Sequence, residues 1–245
     1  LHEKYPKLVY GYVSGYGEKG PDKDLPGFDF TAFYARGGIL GPLRDKNSLP
    51  MLTVQGFGDH QVAMNLAAGV LAALFKAKMT GEGDHVVVSL FHSAIWDISL
   101  MLQASQYGAD STQYPMERWK LGNPLVLCYE TADGQWLQIA MPQYDRHYPI
   151  LMNAMGYPEL ADDARYYPQK NLIPNREEFS AWITAEFKKK TCDEWCKLLD
   201  ANDLPYAIAQ EWDSLLEDKQ AWASDCFYEM SYSNGNKRTL VRPPV

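Results

Sequence analysis

Cysteine and histidine are scarce in this sequence, which has four cysteines and five histidines among 245 residues. Four cysteines are too few for the disulfide framework of a secreted domain in a chain of this length. Cys192 and Cys196 would share one face of a helix, but no histidine or second cysteine pair stands around them at zinc-ligand spacing. We therefore predict no metal site, buried thiols at these two positions, and a reducing, cytoplasmic location.

The sequence also has fewer basic than acidic residues. The chain has 23 lysines and arginines against 31 aspartates and glutamates, which gives a formal net charge of -8. A negative surface disfavours nonspecific binding to nucleic acid or to an anionic membrane, so we expect neither partner. A local basic pocket for one anionic ligand is still compatible with this composition.

The sequence lacks a long uninterrupted apolar run. The longest stretch, Val62 to Phe75, is interrupted by Asn65 and is shorter than the roughly 20 residues that a membrane span requires. We predict that it forms a buried helix covered on most sides. No signal-peptide pattern is visible. The opening residues, up to a break at Tyr5-Pro6, read as the tail of a helix, so we expect further chain upstream of Leu1.

The order of apolar and turn-forming segments predicts an α/β protein. A strand over Leu8 to Ser14, a helix from Asp59 to about Lys78, and a strand over His85 to Leu90 form a strand–helix–strand unit, which favours parallel strands and a right-handed connection. A second helix is predicted from His92 to Tyr107. The connection from Gly15 to Gln55 is rich in glycine, proline and aspartate, and a connection of that length is usually functional.

The second half predicts a smaller α/β unit. Strands over Leu125 to Thr131 and Gln135 to Met141 would pair through a tight turn at Asp133-Gly134. Helices are expected to follow, one of them started by a capping box between Thr191 and Glu194. The predicted divisions are part of a Rossmann-like large domain at 1–92, a helical linker at 93–123, a small α/β domain at 124–215, and a return linker with a hairpin at 216–245.

Asp59 is the candidate catalytic residue. It follows two glycines, Gly56 and Gly58, in the stretch VQGFGDHQVAM, and it stands at the start of the apolar helix. Glycine leaves the backbone bare, so a substrate can approach closely and amide N–H groups can face it. The helix dipole favours the ionised carboxylate, which suits attack better than proton transfer. On spacing alone, the alternative is that Asp59 only caps its helix, with a stabilisation of about 1 kcal/mol.

Several segments resemble the class III CoA-transferases, the family of formyl-CoA transferase and carnitine CoA-transferase. The resemblance covers essentially the whole chain, and it is carried by the segments at 13–33, 56–60, 76–90 and 191–207. Three segments, at 15–29, 208–223 and 240–244, are most similar to the transferases that act on (R)-2-hydroxy acids, such as phenyllactate and 2-hydroxyisocaproate, in amino-acid fermentation. The resemblance implies the class III CoA-transferase fold, with a partial Rossmann-like parallel-sheet domain and a smaller α/β domain.

The same resemblance implies a mechanism and partners. Asp59 would attack an acyl-CoA thioester to form a mixed anhydride, and CoA would then attack the aspartyl carbonyl to leave an aspartyl-CoA thioester. An incoming carboxylic acid would reverse these steps. Backbone amides near Gly58 are candidate donors to the oxyanions formed on the way. The partners would be an acyl-CoA, a carboxylic acid and a second subunit in a homodimer; CoA is a substrate, and no cofactor is expected.

The family also includes 2-methylacyl-CoA racemases, which transfer protons through a histidine in a Gly-His-Asp motif. This chain has Gly27-Phe28-Asp29 at that place, and Phe28 cannot accept a proton. Met141 stands near the place of the racemase glutamate. Racemisation is therefore disfavoured. Phe28 is predicted to bind substrate by lining the CoA or acyl pocket, and an ordinary core phenylalanine is an equally compatible alternative.

Gly122 is the last predicted site residue. Formyl-CoA transferases carry a run of glycines that closes over the active site, whereas this chain has only Leu121-Gly122-Asn123-Pro124 at the corresponding position. Gly122 can retain part of that role or can form a plain linker turn. The predicted site thus consists of catalytic Asp59 with substrate-binding Phe28, Gly58 and Gly122. A catalytically silent binding subunit with the same fold is the alternative of another class.

Overall fold

A computed structural model describes residues 1–108 and 114–244 of the chain. The chain divides into two compact units, Leu1–Leu121 and Gly122–Val245. Residues 109–113 of the predicted helical linker lie outside the described residues. The domain boundaries drawn from the sequence stay predictions.

The first unit contains a pair of parallel strands joined by a long helix. Strand β1 (Tyr10–Ser14) pairs in parallel with β2 (His85–Ser89), and Tyr10 stands opposite His85. Helix α1 (Phe57–Thr80) lies between them in the chain and packs against both, which confirms the predicted strand–helix–strand unit. Gly81 ends α1 in the left-handed conformation, with φ of 81°, a conformation that glycine adopts without steric cost.

Helix α1 is buried on one face only. Gly58, Val62, Ala73 and Ala77 form the buried positions. The opposite stripe is exposed, with exposed fractions of 67% at Leu71 and 69% at Phe75. The prediction of a helix covered on most sides is therefore wrong for the described chain. The reason is that an apolar composition predicts which surfaces favour burial, whereas neighbouring segments decide which surfaces are covered.

The argument from length against a membrane span also fails. Because α1 extends beyond the apolar run to 24 residues, it is long and apolar enough to cross a membrane by length and composition alone. The core helices of water-soluble proteins meet the same criterion.

The core of the first unit forms where α1 meets two elements that differ from the prediction. One is a π-helix (Asp29–Ala35) within the long connection rich in glycine, proline and aspartate, where no helix was predicted. The other is α2 (Leu90–Asp97), which has Ile98 as its C-cap and is followed by α3 (Ser99–Ala104), so the predicted single helix is broken. The buried core residues are Ala32, Phe33, Tyr34, Val62, Leu90 and Ala94.

The second unit contains a three-stranded antiparallel sheet. Strands β3 (Cys128–Glu130), β4 (Trp136–Ile139) and β5 (Tyr206–Ile208) pair in that order. A separate hairpin is formed by β6 (Phe227–Ser231) and β7 (Lys237–Val241). Both predicted hairpins are confirmed. The α-helices of this unit are α4 (Tyr144–Met155), α5 (Gln169–Leu172), α6 (Arg176–Phe187), α7 (Cys192–Ala201), α8 (Trp212–Leu216) and α9 (Lys219–Ala223).

Aromatic stacking and a helix cap stabilise the core of the second unit. The ring of Phe187 stacks on that of Trp195, with centroids 4.4 Å apart, and both side chains are buried. The Thr191–Glu194 capping box is confirmed at the start of α7. Cys192 is buried as predicted, and burial raises the pKa of its thiol to about 11, so the thiol stays protonated at neutral pH. Cys196 is half-buried.

Candidate active site at the start of the long helix

Asp59 lies within the first turn of α1 and not at its cap. The helix begins at Phe57, and its N-cap is Gly56, which has a left-handed φ of 79°. Asp59 is therefore the third helical residue, so the alternative in which it only caps the helix is wrong. Its side chain is exposed, and within the described residues its carboxylate has no hydrogen-bond or ion-pair partner. The carboxylate is thus available at the positive end of the helix dipole.

Asp29 supplies the cap that Asp59 does not. This residue begins the π-helix and is buried, with 6% of its surface exposed. One carboxylate oxygen accepts a hydrogen bond of 2.8 Å from the Gly56 amide, and the other accepts one of 3.0 Å from the Gly58 amide. This role could not be predicted from the sequence, because no local pattern connects residues that are 27 and 29 positions apart.

The bond to Asp29 corrects the expected oxyanion donors. The Gly58 N–H donates to Asp29 and is not free to face a substrate. Within residues 1–108 and 114–244, the amides of Phe57 and Asp59 have no acceptor. The first amides of a helix have no partner inside the helix, so these two groups are the available donors next to the nucleophile.

Gly58 fits against the core so closely that no side chain can replace its hydrogen. A Cβ atom at this position would lie 2.3 Å from Cγ of Phe33 and 2.4 Å from Oδ1 of Asp29. The glycine therefore lets the start of α1 pack on the π-helix. Its predicted contact with substrate stays a prediction.

Phe28 lies beside the buried cap. It precedes Asp29 directly, and its amide donates to the Thr31 hydroxyl, 3.0 Å away, at the start of the π-helix. Its side chain is 66% exposed, so the core-phenylalanine alternative is wrong. The contact between Asp29 and Gly58 brings the Phe28 segment to the Asp59 loop, and the pocket-lining role of Phe28 stays a prediction.

Tyr34 fixes the segment that leads into the loop. Its hydroxyl donates to the carbonyl oxygen of Val54, 3.3 Å away. Burial raises the pKa of Tyr34, and the negative charge of Asp29 raises it further, so the phenol keeps its proton at neutral pH. The loop from Val54 to Gly58 is therefore held at both ends by side chains of the π-helix.

The position of Asp59 in the fold favours ligand binding. Because α1 connects parallel strands, its first turn lies at the edge of the sheet where β1 and β2 end. Ligands of open α/β sheets bind beyond this carboxyl edge. Next to the ends of both strands lies a cavity of about 510 Å³, whose lining includes Tyr16, Lys19, Ser89 and His92.

Gly122 belongs to a different unit from the other predicted site residues. It is the first residue of the second unit, whereas Asp59, Phe28 and Gly58 belong to the first. Its carbonyl oxygen accepts a hydrogen bond of 2.8 Å from Nε2 of Gln169, and a Cβ atom at Gly122 would meet nothing within 4 Å. The predicted closing role of Gly122 stays a prediction.

If Gly122 closes over substrate as predicted, Gly122→Ala should lower kcat without changing stability. The substitution meets open space, so the free energy of unfolding should change by less than about 0.5 kcal/mol. A loop that closes over substrate uses its flexibility during turnover, so we expect kcat to fall roughly tenfold. Steady-state kinetics and denaturant unfolding measure the two quantities. An unchanged kcat would leave Gly122 as a plain linker turn.

The whole chain, residues 1–245, matches the model of CoA-transferase family III, and the chain belongs to this family. It is 50% identical over 246 residues to cinnamoyl-CoA:phenyllactate CoA-transferase of Clostridium sporogenes, covering 100% of this chain and 60% of that relative. It is 40% identical over 245 residues to (R)-2-hydroxy-4-methylpentanoate CoA-transferase of Clostridioides difficile, covering 100% of this chain and 61% of that relative.

A solved structure supports the fold. The crystal structure of Rv3272 from M. tuberculosis, in its orthorhombic form, matches with a TM-score of 0.83 at 25% identity, covering 100% of this chain and 64% of that one. The predicted family and fold class are confirmed. The chain spans about 60% of the length of the curated relatives named above.

Proposed function

We propose that this protein is a CoA-transferase that moves CoA between an acyl-CoA and a free carboxylic acid through a covalent thioester on Asp59. The observation that carries the proposal is the exposed Asp59 carboxylate at the start of α1, which has no partner among the residues that the structure describes. The two relatives that are 50% and 40% identical carry names with phenyllactate and (R)-2-hydroxy-4-methylpentanoate, which supports an (R)-2-hydroxy acid as the accepting or donating acid.

The chemistry needs no energy source beyond the incoming thioester. An oxygen of Asp59 attacks the thioester carbonyl carbon, the carbon–sulfur bond breaks, and a mixed anhydride and CoA thiolate result. The thiolate attacks the aspartyl carbonyl, the first acid leaves as its carboxylate, and an aspartyl-CoA thioester remains. The incoming carboxylate attacks that thioester, and the released thiolate then attacks the acyl carbon of the new anhydride. The new acyl-CoA departs, and Asp59 is restored.

Each of these steps passes through a tetrahedral oxyanion. The Phe57 and Asp59 amides are the proposed donors, since Asp29 already accepts from their neighbours. The loss of one such donor slows comparable enzymes by about 10²- to 10³-fold. CoA therefore acts as a substrate, and the mechanism requires no resident cofactor.

A homodimer in the cytoplasm is the proposed setting, on the basis of the family resemblance. The alternative of racemisation is not proposed, because Phe28 stands where a proton-transferring histidine would be needed. The alternative of a silent binding subunit predicts no covalent intermediate, which separates it from the transferase by one measurement.

That measurement is mass spectrometry of the intact protein and its peptides after brief incubation with a 2-hydroxyacyl-CoA. We expect an adduct of the mass of CoA on the Asp59 peptide that hydroxylamine removes. The adduct should be missing from Asp59→Asn and present in Asp193→Asn, which alters another exposed aspartate in the first turn of a helix. A protein that turns over thioesters without this adduct would contradict the proposal.

A further inference from the structure

The start of α1 has backbone amides that need acceptors from outside the helix. The first amides of any helix have no partner inside the helix. The N-cap of α1 is glycine, so no cap side chain can accept from them. The local solution is a carboxylate at the third helical position that bends back onto the N-cap amide, as in a capping box. Asp59 occupies that position.

The capping contact is made instead by a residue from outside the helix. Asp29 accepts from the Gly56 amide, which is the donor that a capping Asp59 would use, and it also accepts from the Gly58 amide. The Asp29 segment is itself fixed, because the Thr31 hydroxyl accepts from the Phe28 amide and donates to the Phe28 carbonyl oxygen. The two amides are therefore satisfied without Asp59.

We propose that Asp29 is the positioning residue of the nucleophile: it caps α1 in place of Asp59 and so keeps the Asp59 carboxylate free to attack. This assignment rests on the proposed function. If Asp29 lost its carboxylate, the Gly56 amide would be free, and Asp59 would be the nearest carboxylate on the same helix turn. A carboxylate that accepts a hydrogen bond is stabilised in its ground state and attacks more slowly. Asp29 touches neither substrate nor reacting atoms in this scheme.

Two substitutions test the assignment. Asp29→Asn keeps one acceptor but places an NH₂ group opposite an amide donor, and Asp29→Ala removes both acceptors. The matched control is Asp133→Asn, which weakens a carboxylate that accepts the backbone amide of Cys192, 3.1 Å away, in the second unit. It tests the general effect of disturbing a carboxylate that accepts a backbone amide.

The measurements separate the rate of adduct formation from the amount of adduct formed. Rapid quenching and intact-mass spectrometry give the rate of adduct formation on Asp59 and its final stoichiometry, and hydrogen exchange gives the protection of the Gly56 and Gly58 amides. In Asp29→Ala we expect the rate of adduct formation to fall roughly 10- to 100-fold. The final stoichiometry of the adduct should stay full, and the amides of both glycines should exchange faster. The KM for the acyl-CoA should stay within about twofold, because a positioning residue acts after binding. Asp29→Asn should show a smaller change and Asp133→Asn none.

Three outcomes would overturn the assignment. An unchanged rate despite faster exchange would mean that the capping contact does not govern the nucleophile. A lower final stoichiometry at an unchanged rate, in both Asp29→Asn and Asp29→Ala, would mean that Asp29 serves folding alone. No adduct in the unsubstituted protein would overturn the proposed function itself, and the role of Asp29 would fall with it.

Discussion

Asp59→Asn is expected to lower kcat for CoA transfer by roughly 10⁴-fold or more, while the free energy of unfolding changes by less than about 1 kcal/mol. The kinetic loss is large because an amide oxygen cannot form the mixed anhydride, so the covalent route closes. The effect on stability is small because Asp59 is exposed and its side chain does not cap α1. Only its interaction with the helix dipole is lost.

Two assays on the same preparations check this expectation. Transfer of CoA from a 2-hydroxyacyl-CoA to a second 2-hydroxy acid gives kcat, and denaturant unfolding gives stability. Asp193→Asn is the matched control, since Asp193 is exposed in the first turn of α7. We expect that control to retain full activity. An Asp59→Asn protein that keeps more than about a tenth of the activity would exclude Asp59 as the nucleophile.

The elements that could be predicted from the sequence are those whose signals are local. The parallel pair of β1 and β2 follows from two short strands on either side of one helix. The β3–β4 hairpin follows from Asp133-Gly134, and the cap of α7 follows from Thr191 and Glu194, which stand three positions apart. In each case the interacting groups are close in the chain, so their spacing carries the information.

The unpredicted features depend on contacts between distant segments. The π-helix at Asp29–Ala35 lies in a connection without helical periodicity, and its packing on Gly58 comes from tertiary structure. The same contact explains why Asp59 is not the N-cap of α1. Aspartate is preferred over glycine at an N-cap, but Asp29 supplies acceptors from elsewhere, so Gly56 can occupy the cap and Asp59 moves into the helix.

The sequence therefore identifies the candidate nucleophile, but it does not predict how the groups around the nucleophile are arranged. The glycine motif and the family resemblance identify Asp59. No local pattern indicates that the Gly58 amide is occupied, or that the Phe57 and Asp59 amides lack acceptors within the described part of the chain. These facts depend on where the Asp29 carboxylate lies, and they change which groups are proposed to stabilise the oxyanion.

Gly58→Ala tests that tertiary contact, because local and tertiary effects predict opposite signs. Helix propensity alone favours alanine over glycine inside a helix by about 1 kcal/mol, so a local argument predicts greater stability. The new Cβ would instead lie 2.3 Å from the Phe33 ring, whose side chain is buried in the core, and 2.4 Å from the Asp29 carboxylate. We expect the free energy of unfolding to fall by about 2–3 kcal/mol, as in other overpacked cores.

The same clash would disturb catalysis, since it displaces Asp29 from the amides that it caps. We expect kcat to fall roughly 100-fold or more in the fraction of protein that remains folded. Gly41→Ala is the matched control: a Cβ at Gly41 meets nothing within 4 Å, so stability and kcat should both be unchanged. Denaturant unfolding and steady-state kinetics on the two variants measure both effects. If Gly58→Ala proved more stable than the unsubstituted protein, the local effect would dominate, and the packing of Asp29 and Phe33 against the start of α1 could not be what holds Asp59 in place.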